Sequence, residues 1–359
     1  MHRLNFATTL LTCLWTAATF GWGGSWHTST NPSPKLSDFP LNSDQQWFTK
    51  ETYLIMKPYE DDNDYATRLK TKGSLSSSLS MSMKLQKPEF NWASGVRLGV
   101  GRYLANHDKW DVSLFATYLY AQEESSSSPR RIDGTLLTPL WSPTFEGGAT
   151  KGHVVWKLNF FNGDLSIGRE YSFLKTVIAH PFIGLRAVLI YKNYKASCFD
   201  ASTVRALSNA FKASDHFWGI GPRFGTDFQF YFKNQWAFLG SLSGALFFGH
   251  YQIRESTWVD ITTSGAADRT KYRSFDNHYA VRANLDTSIG LGWETWFHEH
   301  RVRLAPSVLF EASCWFDTNR FFLTSRSETL GSTLPSFTNL RREGNLILMG
   351  VSLNLQTDF

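Results

Sequence analysis

Apolar and polar side chains alternate along most of this chain, and the alternation runs to its last residue. Val351, Leu353, Leu355, Thr357 and Phe359 share one parity; Ser352, Asn354, Gln356 and Asp358 share the other. Period two marks a strand with one apolar and one wet face. The pattern recurs upstream. Val96, Leu98 and Val100 oppose Arg97, Gly99 and Gly101, and Trp110 to Tyr120 oppose Asp111, Ser113 and Thr117. Leu185, Ala187 and Leu189 flank Arg186, while Phe224, Phe228 and Phe230 alternate with Gly225, Asp227 and Gln229. The stretch from Tyr279 to Trp293 alternates with Arg282, Asn284, Asp286 and Glu294. So many half-apolar strands need a common apolar partner, and an open sheet would leave aggregating edges. A closed barrel in a bilayer provides the partner and removes the edges.

Composition separates this reading from its rivals. Aromatic residues make up 16% of the chain, yet hydrophobic residues reach only 42% and mean hydropathy is −0.27. No run approaches the ~20 apolar residues of a spanning helix. Many aromatics on a polar average suit a barrel with an apolar outer face and a polar lumen. A secreted soluble β-sandwich is the competing fold, and detergent dependence distinguishes it.

His2 and Arg3 precede the semi-apolar stretch Leu4 to Phe20, with small residues at Ala17 and Ala18. Residues 1–24 are expected to be a signal peptide. Residues 25–48, with Pro32, Pro34 and Pro40, form a disordered periplasmic leader, and 49–359 the barrel.

Short links at 106–108, 174–175, 233–235 and 298–299 alternate with long polar ones at 60–90, 122–150, 193–214, 253–275 and 317–342. Placing both ends in the periplasm makes the short links periplasmic turns and the long ones external loops. The fold class is all-β: an antiparallel transmembrane barrel of about ten strands. These are 49–59, 91–105, 109–121, 151–172, 176–192, 215–232, 236–252, 276–297, 300–316 and 343–359. Leu75, Leu79, Met81, Met83 and Leu85 alternate with serines, which leaves twelve strands as an alternative. Within 151–172, Trp156, Leu158 and Phe160 face outward, as do Leu165 and Ile167. That parity switch predicts a β-bulge at Asn162-Gly163-Asp164. Phe230, Phe232, Trp236, Phe238, Trp293, Trp296, Phe297 and Phe359 crowd the inner strand ends, as an interfacial girdle does.

An arginine facing lipid at mid-depth costs about 2–4 kcal/mol. Arg97, Arg186, Arg223, Arg282 and Arg303 therefore point into the lumen. With Asp227, Asp286 and Glu294 they form the expected pore lining, a set that leans positive and suggests weak anion preference. Lysines and arginines are otherwise scattered through a chain of net charge +5, with no run of the kind that binds nucleic acid.

The segments Trp92 to Gly101, His107 to Asp111, Trp156 to Phe160 with Asp164 to Arg169, Pro181 to Arg186 and Phe217 to Gly225 occur in order before the terminal Phe359. Together they resemble the Legionella-type major outer membrane protein family, which includes porin-like proteins of chlamydia-related bacteria. The resemblance covers roughly 47–359 and implies an outer-membrane location, pore formation and a host-contact role. Chlamydial major porins are often cysteine-rich and cross-linked. Here only Cys198 and Cys314 remain after the signal peptide leaves with Cys13, and they stand as a bridge or as two isolated thiols.

The expected function is a porin passing small polar solutes or ions. The alternative is a structural or adhesive protein acting through its external loops, motivated by the apolar stretch Leu136 to Trp141. Expected partners are outer-membrane lipid, small solutes, a host-cell surface and the barrel-assembly machinery. The last would read Leu355 and Phe359 as a C-terminal insertion signal. No catalytic, cofactor or metal site is expected. His298-Glu299-His300 lacks ligand spacing on a helix. Gly219-Ile220-Gly221-Pro222 cannot open a nucleotide-binding helix. His153, His216, His250 and His278, with Asp215 and Asp276 nearby, lie toward outer strand ends without a catalytic spacing.

Overall fold

The computed structural model describes residues 47–72, 80–104, 109–128, 135–141, 149–174, 176–201, 205–233, 235–263, 266–297, 302–327 and 336–359. The signal peptide, nearly all of the leader and the His298-Glu299-His300 turn lie outside them. In chain order the strands are β1 (Trp47–Glu60), β2 (Ala66–Lys72), β3 (Ser80–Gln86), β4 (Ala93–Tyr103), β5 (Trp110–Ser127), β6 (Thr135–Pro139), β7 (Lys151–Arg169) and β8 (Tyr171–Leu174). They continue as β9 (Val177–Ala201), β10 (Arg205–Lys233), β11 (Trp236–Thr263), β12 (Ala266–Trp293), β13 (Thr295–Phe297), β14 (Val302–Ser327) and β15 (Ser336–Asp358).

Ten of these close into an antiparallel ring, β1-β4-β5-β7-β9-β10-β11-β12-β14-β15, with β15 returning to β1. Short β8 and β13 extend the ends of β7 and β12 beside β9 and β14. The seam joins the first strand to the last from Phe48↔Asp358 to Glu60↔Leu346. Backbone bonds between Trp47 and Phe359, N to O at 3.1 and 2.9 Å, finish it. Every barrel strand pairs with two neighbours among the described residues, which satisfies most backbone polar groups crossing lipid, although β12 and β14 pair only over Asn284–Gly292 and Ser307–Trp315. Gly350 lets β1 and β15 approach at this seam: a Cβ there would lie 2.0 Å from the Ile55 carbonyl oxygen.

All ten expected strands are present, but several expectations need correction. Strands β2, β3 and β6 form a separate three-stranded sheet in order β3-β2-β6, so the twelve-strand alternative fails. The links 193–214 and 253–275 are largely strand, not loop. β9 pairs with β10, and β11 with β12, continuously to the hairpin tips. Inward-facing Tyr194, Ala196, Phe211, Ala213 and Ile253 stay buried there, so the sheet keeps an apolar reason to continue.

There is also no bulge at Asn162-Gly163-Asp164. The β5–β7 and β7–β9 registers run unbroken through it. Trp156, Leu158 and Phe160 are buried on the same inward face as Asn162 and Asp164. Polarity changes there because the interior changes from wet to dry, not because the strand slips. A register shift lies instead in β14, against β15 between Trp315 and Asn319, where Asp317 adopts φ 51°.

The outward parity carries the apolar belt: Leu98, Leu114, Ile183, Phe224, Leu242, Phe248, Val281, Ile289 and Phe310 are all exposed. At the turn end Phe230, Phe232, Trp236, Phe238, Phe297 and Phe359 are exposed as an aromatic girdle, while Trp293 and Trp296 are half-buried.

Candidate functional site

The lumen is layered. Its turn-side half is a polar chamber of about 320 Å³ bounded by inward residues of the barrel strands. Near the turns, Arg303 donates to Glu294 (3.1 Å) and Asp358 (2.8 Å). His180 lies 2.5 Å from Asp111 and 3.6 Å from Asp227. Deeper in, Arg97 reaches from β4 to β14 and grips Glu311 through two bonds of 3.2 and 2.9 Å. Arg186 donates to both oxygens of Asp164, at 2.5 and 2.9 Å, and also reaches Asp286 and Asn284. Arg223 donates to Ser243 at 3.1 Å and stands 3.7 Å from Asp164. Two-pronged guanidinium–carboxylate pairs are the strong geometry for such contacts.

The chamber ends at an aromatic layer. Phe160 on β7 and Trp315 on β14 are five strands apart in a ring of ten, hence on opposite walls. Their ring centroids are nevertheless 5.2 Å apart. Phe247 stacks on Trp315 at 5.4 Å. Leu54, Met56, Leu119 and Leu348 join the same buried cluster. Beyond it comes a buried ionic knot. The Lys192 ammonium lies 2.8 Å from Glu60, 3.0 Å from Asp215 and 2.6 Å from the Thr318 carbonyl. Trp156 and Asn63 also donate to Glu60, at 2.5 and 2.9 Å. Arg282 donates to the Tyr251 hydroxyl at 3.2 Å. Two buried carboxylates around one ammonium keep their charges only while that ammonium is present. Outermost, Tyr65, Ala66, Leu137, Trp141 and Ala149 pack in the mouth against Val154, Ala196 and Phe211.

All eight residues expected to line a pore have inward parity, each with a polar partner. They do not share one ring. Arg282 lies beyond the aromatic layer with Tyr251, whereas the other seven border the chamber. The expected set lacks Lys50, Asp111, Asp164, Glu170, His180 and Glu311, which also line the chamber. The described lining holds five Lys and Arg and His180 against seven Asp and Glu side chains, so the positive lean of the expected eight is lost. The rim histidines do not converge. His153, His216 and His250 have outward parity, while His278, 3.0 Å from Asp276, faces inward and meets Arg320. Cys198 and Cys314 are both free and face opposite sides of the wall. Beyond the belt, Arg269 donates to Asp260 at 2.6 and 2.8 Å and holds that carboxyl below its usual range.

A model of the family described as Legionella pneumophila major outer membrane protein precursor matches residues 40–359. The chain belongs to this family. It is an outer-membrane β-barrel protein, and the family's description as a precursor agrees with a signal peptide. No curated protein matches the chain. Among solved structures, the outer membrane protease OmpT of Escherichia coli is similar at 7% identity and TM-score 0.39, over 90% of this chain and all of that one. The Pseudomonas putida toluene transporter TodX is similar at 8% identity and TM-score 0.24, over 92% and 93%. Neither neighbour's activity transfers at these values.

Proposed function

We propose that the protein is a narrow pore for small ions and polar solutes, held shut in this conformation by the Phe160–Trp315–Phe247 layer. The observation that carries the reading is the asymmetry of the lumen. A barrel interior serving stability alone would be packed to the density of an organic crystal. Here one half holds a polar chamber of about 320 Å³, and the adjoining layer closes across the full width with rings. Hydrophobic constrictions of this type gate by excluding water. Ten strands limit the permeant to small species, since diameter grows with strand number. The surplus of carboxylates over cations in the lining favours cations, reversing the preference expected from eight residues.

Planar-bilayer recording of refolded protein tests this. Brief, cation-selective openings are expected from the native chain and frequent ones from Trp315→Ala. Silence of both would remove the pore reading.

The second reading, a structural or adhesive surface protein, draws on the closure itself and on the tall hairpins. Its sequence motive is weakened, because Leu137 and Trp141 of the apolar stretch are buried in the mouth. For assembly, we assign Leu355 and Phe359 as the signal read by the barrel-assembly machinery. Both have outward parity on the strand that closes the seam. Deleting Phe359 should leave unfolded protein in the periplasm; unchanged outer-membrane yield would refute the assignment.

A further inference from the structure

The lysines and arginines that look scattered in the sequence come together on the outside of one wall. Lys195 on β9 and Lys212 on β10 are direct cross-strand partners. Lys212 pairs on its other side with Ser256, and Ser256 with Arg273, so three cations share one transverse row. Arg254, opposite Ser214, and Lys157, opposite Asn193, occupy the row below. Lys271, opposite Trp258, occupies the row above. Lys157 is half-buried and the other five are exposed. All have the parity of the lipid-facing residues Leu185, Ile220, Leu246 and Val281.

Like charges directly opposed across strands are destabilising, and the nearest carboxylate on the adjoining strand, Glu124 of β5, faces His153 at 3.5 Å. Along the outward parity of β7, β9, β10, β11 and β12, Asp260 is the one carboxylate among the described residues, and Arg269 already holds it. None of the six cations forms an ion pair among the described residues. Such a row needs an anionic partner from outside the chain.

Height identifies the partner. The exposed rings of the belt continue past Trp218 and Tyr279 to Phe275, which shares the row of Arg254. The Lys212–Arg273 row is two residues beyond Phe275 and Lys271 four. With a rise of about 3.3 Å per residue and a tilt of about 40°, those two rows stand roughly 5 and 10 Å past that ring. Long cationic side chains can bend several ångströms back toward the interface. The patch therefore spans the headgroup zone on the side of the long connections, in direct line with the acyl chains below.

We infer that the outward wall of β7 and β9 to β12 binds the phosphate groups of phosphorylated glycolipid in the outer leaflet. The acyl chains lie against the apolar belt, and the phosphates bridge the Lys195–Lys212–Arg273 row and the Lys157–Arg254 row. The inference is independent of whether the lumen conducts.

The test uses full-length protein refolded in zwitterionic detergent and titrated with diphosphorylated lipid A, with bound lipid read by native mass spectrometry. The variant Lys195→Gln/Lys212→Gln/Arg254→Gln/Arg273→Gln should bind at least about tenfold more weakly, because each basic group near an anionic surface contributes separately. Lys57→Gln, on β1 of another wall with its ammonium over the Tyr59 ring, should bind as the native chain does. Dephosphorylated lipid A should bind weakly to all three, and millimolar inorganic phosphate should fail to displace the lipid. A native-like heat-modifiable gel shift shows that the variant is folded. Should it not fold, the pair Lys195→Gln/Lys212→Gln replaces it, with an intermediate loss expected. Unchanged affinity in the variant, equal loss in Lys57→Gln, or full displacement by inorganic phosphate would each overturn the inference.

Discussion

Truncating Trp315 to alanine removes the one ring that touches both Phe160 and Phe247 at the middle of the lumen. Trp315 is 1% exposed, so the truncation should cost about 3–5 kcal/mol of stability. A domain with about 10 kcal/mol in hand, the middle of the usual range, remains folded after such a loss. The same number sets the functional effect. If opening parts these rings, the closed state loses about 3–5 kcal/mol that the open state never had, and the closed-to-open ratio falls about 10²- to 10⁴-fold. Single-channel recording reads the open probability, and urea titration in micelles reads the stability. Trp315→Phe is the control. It keeps a stacked ring and deletes an indole N–H that reaches no acceptor among the described residues, so open probability should stay native. A drop in unfolding midpoint without any rise in open probability would show that Trp315 is fixed core and that the layer does not gate.

Other outcomes follow from other layers. Lys192→Met leaves Glu60 and Asp215 buried without their cation and should cost about 3–5 kcal/mol in urea titration. Adding Glu60→Gln and Asp215→Asn should recover much of that loss, and no recovery would mean that the knot is not a charge unit. Glu311→Gln removes the partner of Arg97 and one carboxylate from the chamber, so reversal potentials across a salt gradient should move toward anions. Gly350→Ala places a Cβ against the Ile55 carbonyl at the seam and should destabilise by about 1–3 kcal/mol, read as a lower temperature for the gel shift.

The barrel was legible because lipid imposes one rule on every strand: the outward parity must be apolar. Phe224, Phe228 and Phe230 obey it, as do Val281 through Leu291 and the terminal Leu353 and Phe359, and strand order followed from turn lengths. The interior obeys no single rule. Trp156, Leu158 and Phe160 are as apolar as the belt residues, so polarity alone assigned them to lipid and required a bulge to restore parity. Unbroken parity through Asn162, with Lys157 and Asn159 on the outer face, was the available signal that the dry side had moved inside. Pairings such as Arg97 with Glu311 and Lys192 with Glu60 join residues 214 and 132 positions apart, and only ring closure brings them together.

The layers of the lumen are mutually dependent. Arg186 is held by Asp164 and Asp286 in the chamber, while its guanidinium lies 6.0 Å from the Trp315 ring. The charged network therefore abuts the aromatic layer that excludes water from beyond. On the far side, Arg282 and Arg320 lie 5.3 and 5.5 Å from the Tyr251 ring, which stacks on His278. Cations over aromatic faces thus bound the dry zone on both sides, where desolvation strengthens the attraction. Removing a cation from either face would loosen the rings, and removing the rings would wet both sets of ion pairs. Closure is then cooperative: the lumen should switch between a sealed and a hydrated arrangement rather than widen by degrees, since packed interiors rearrange in steps.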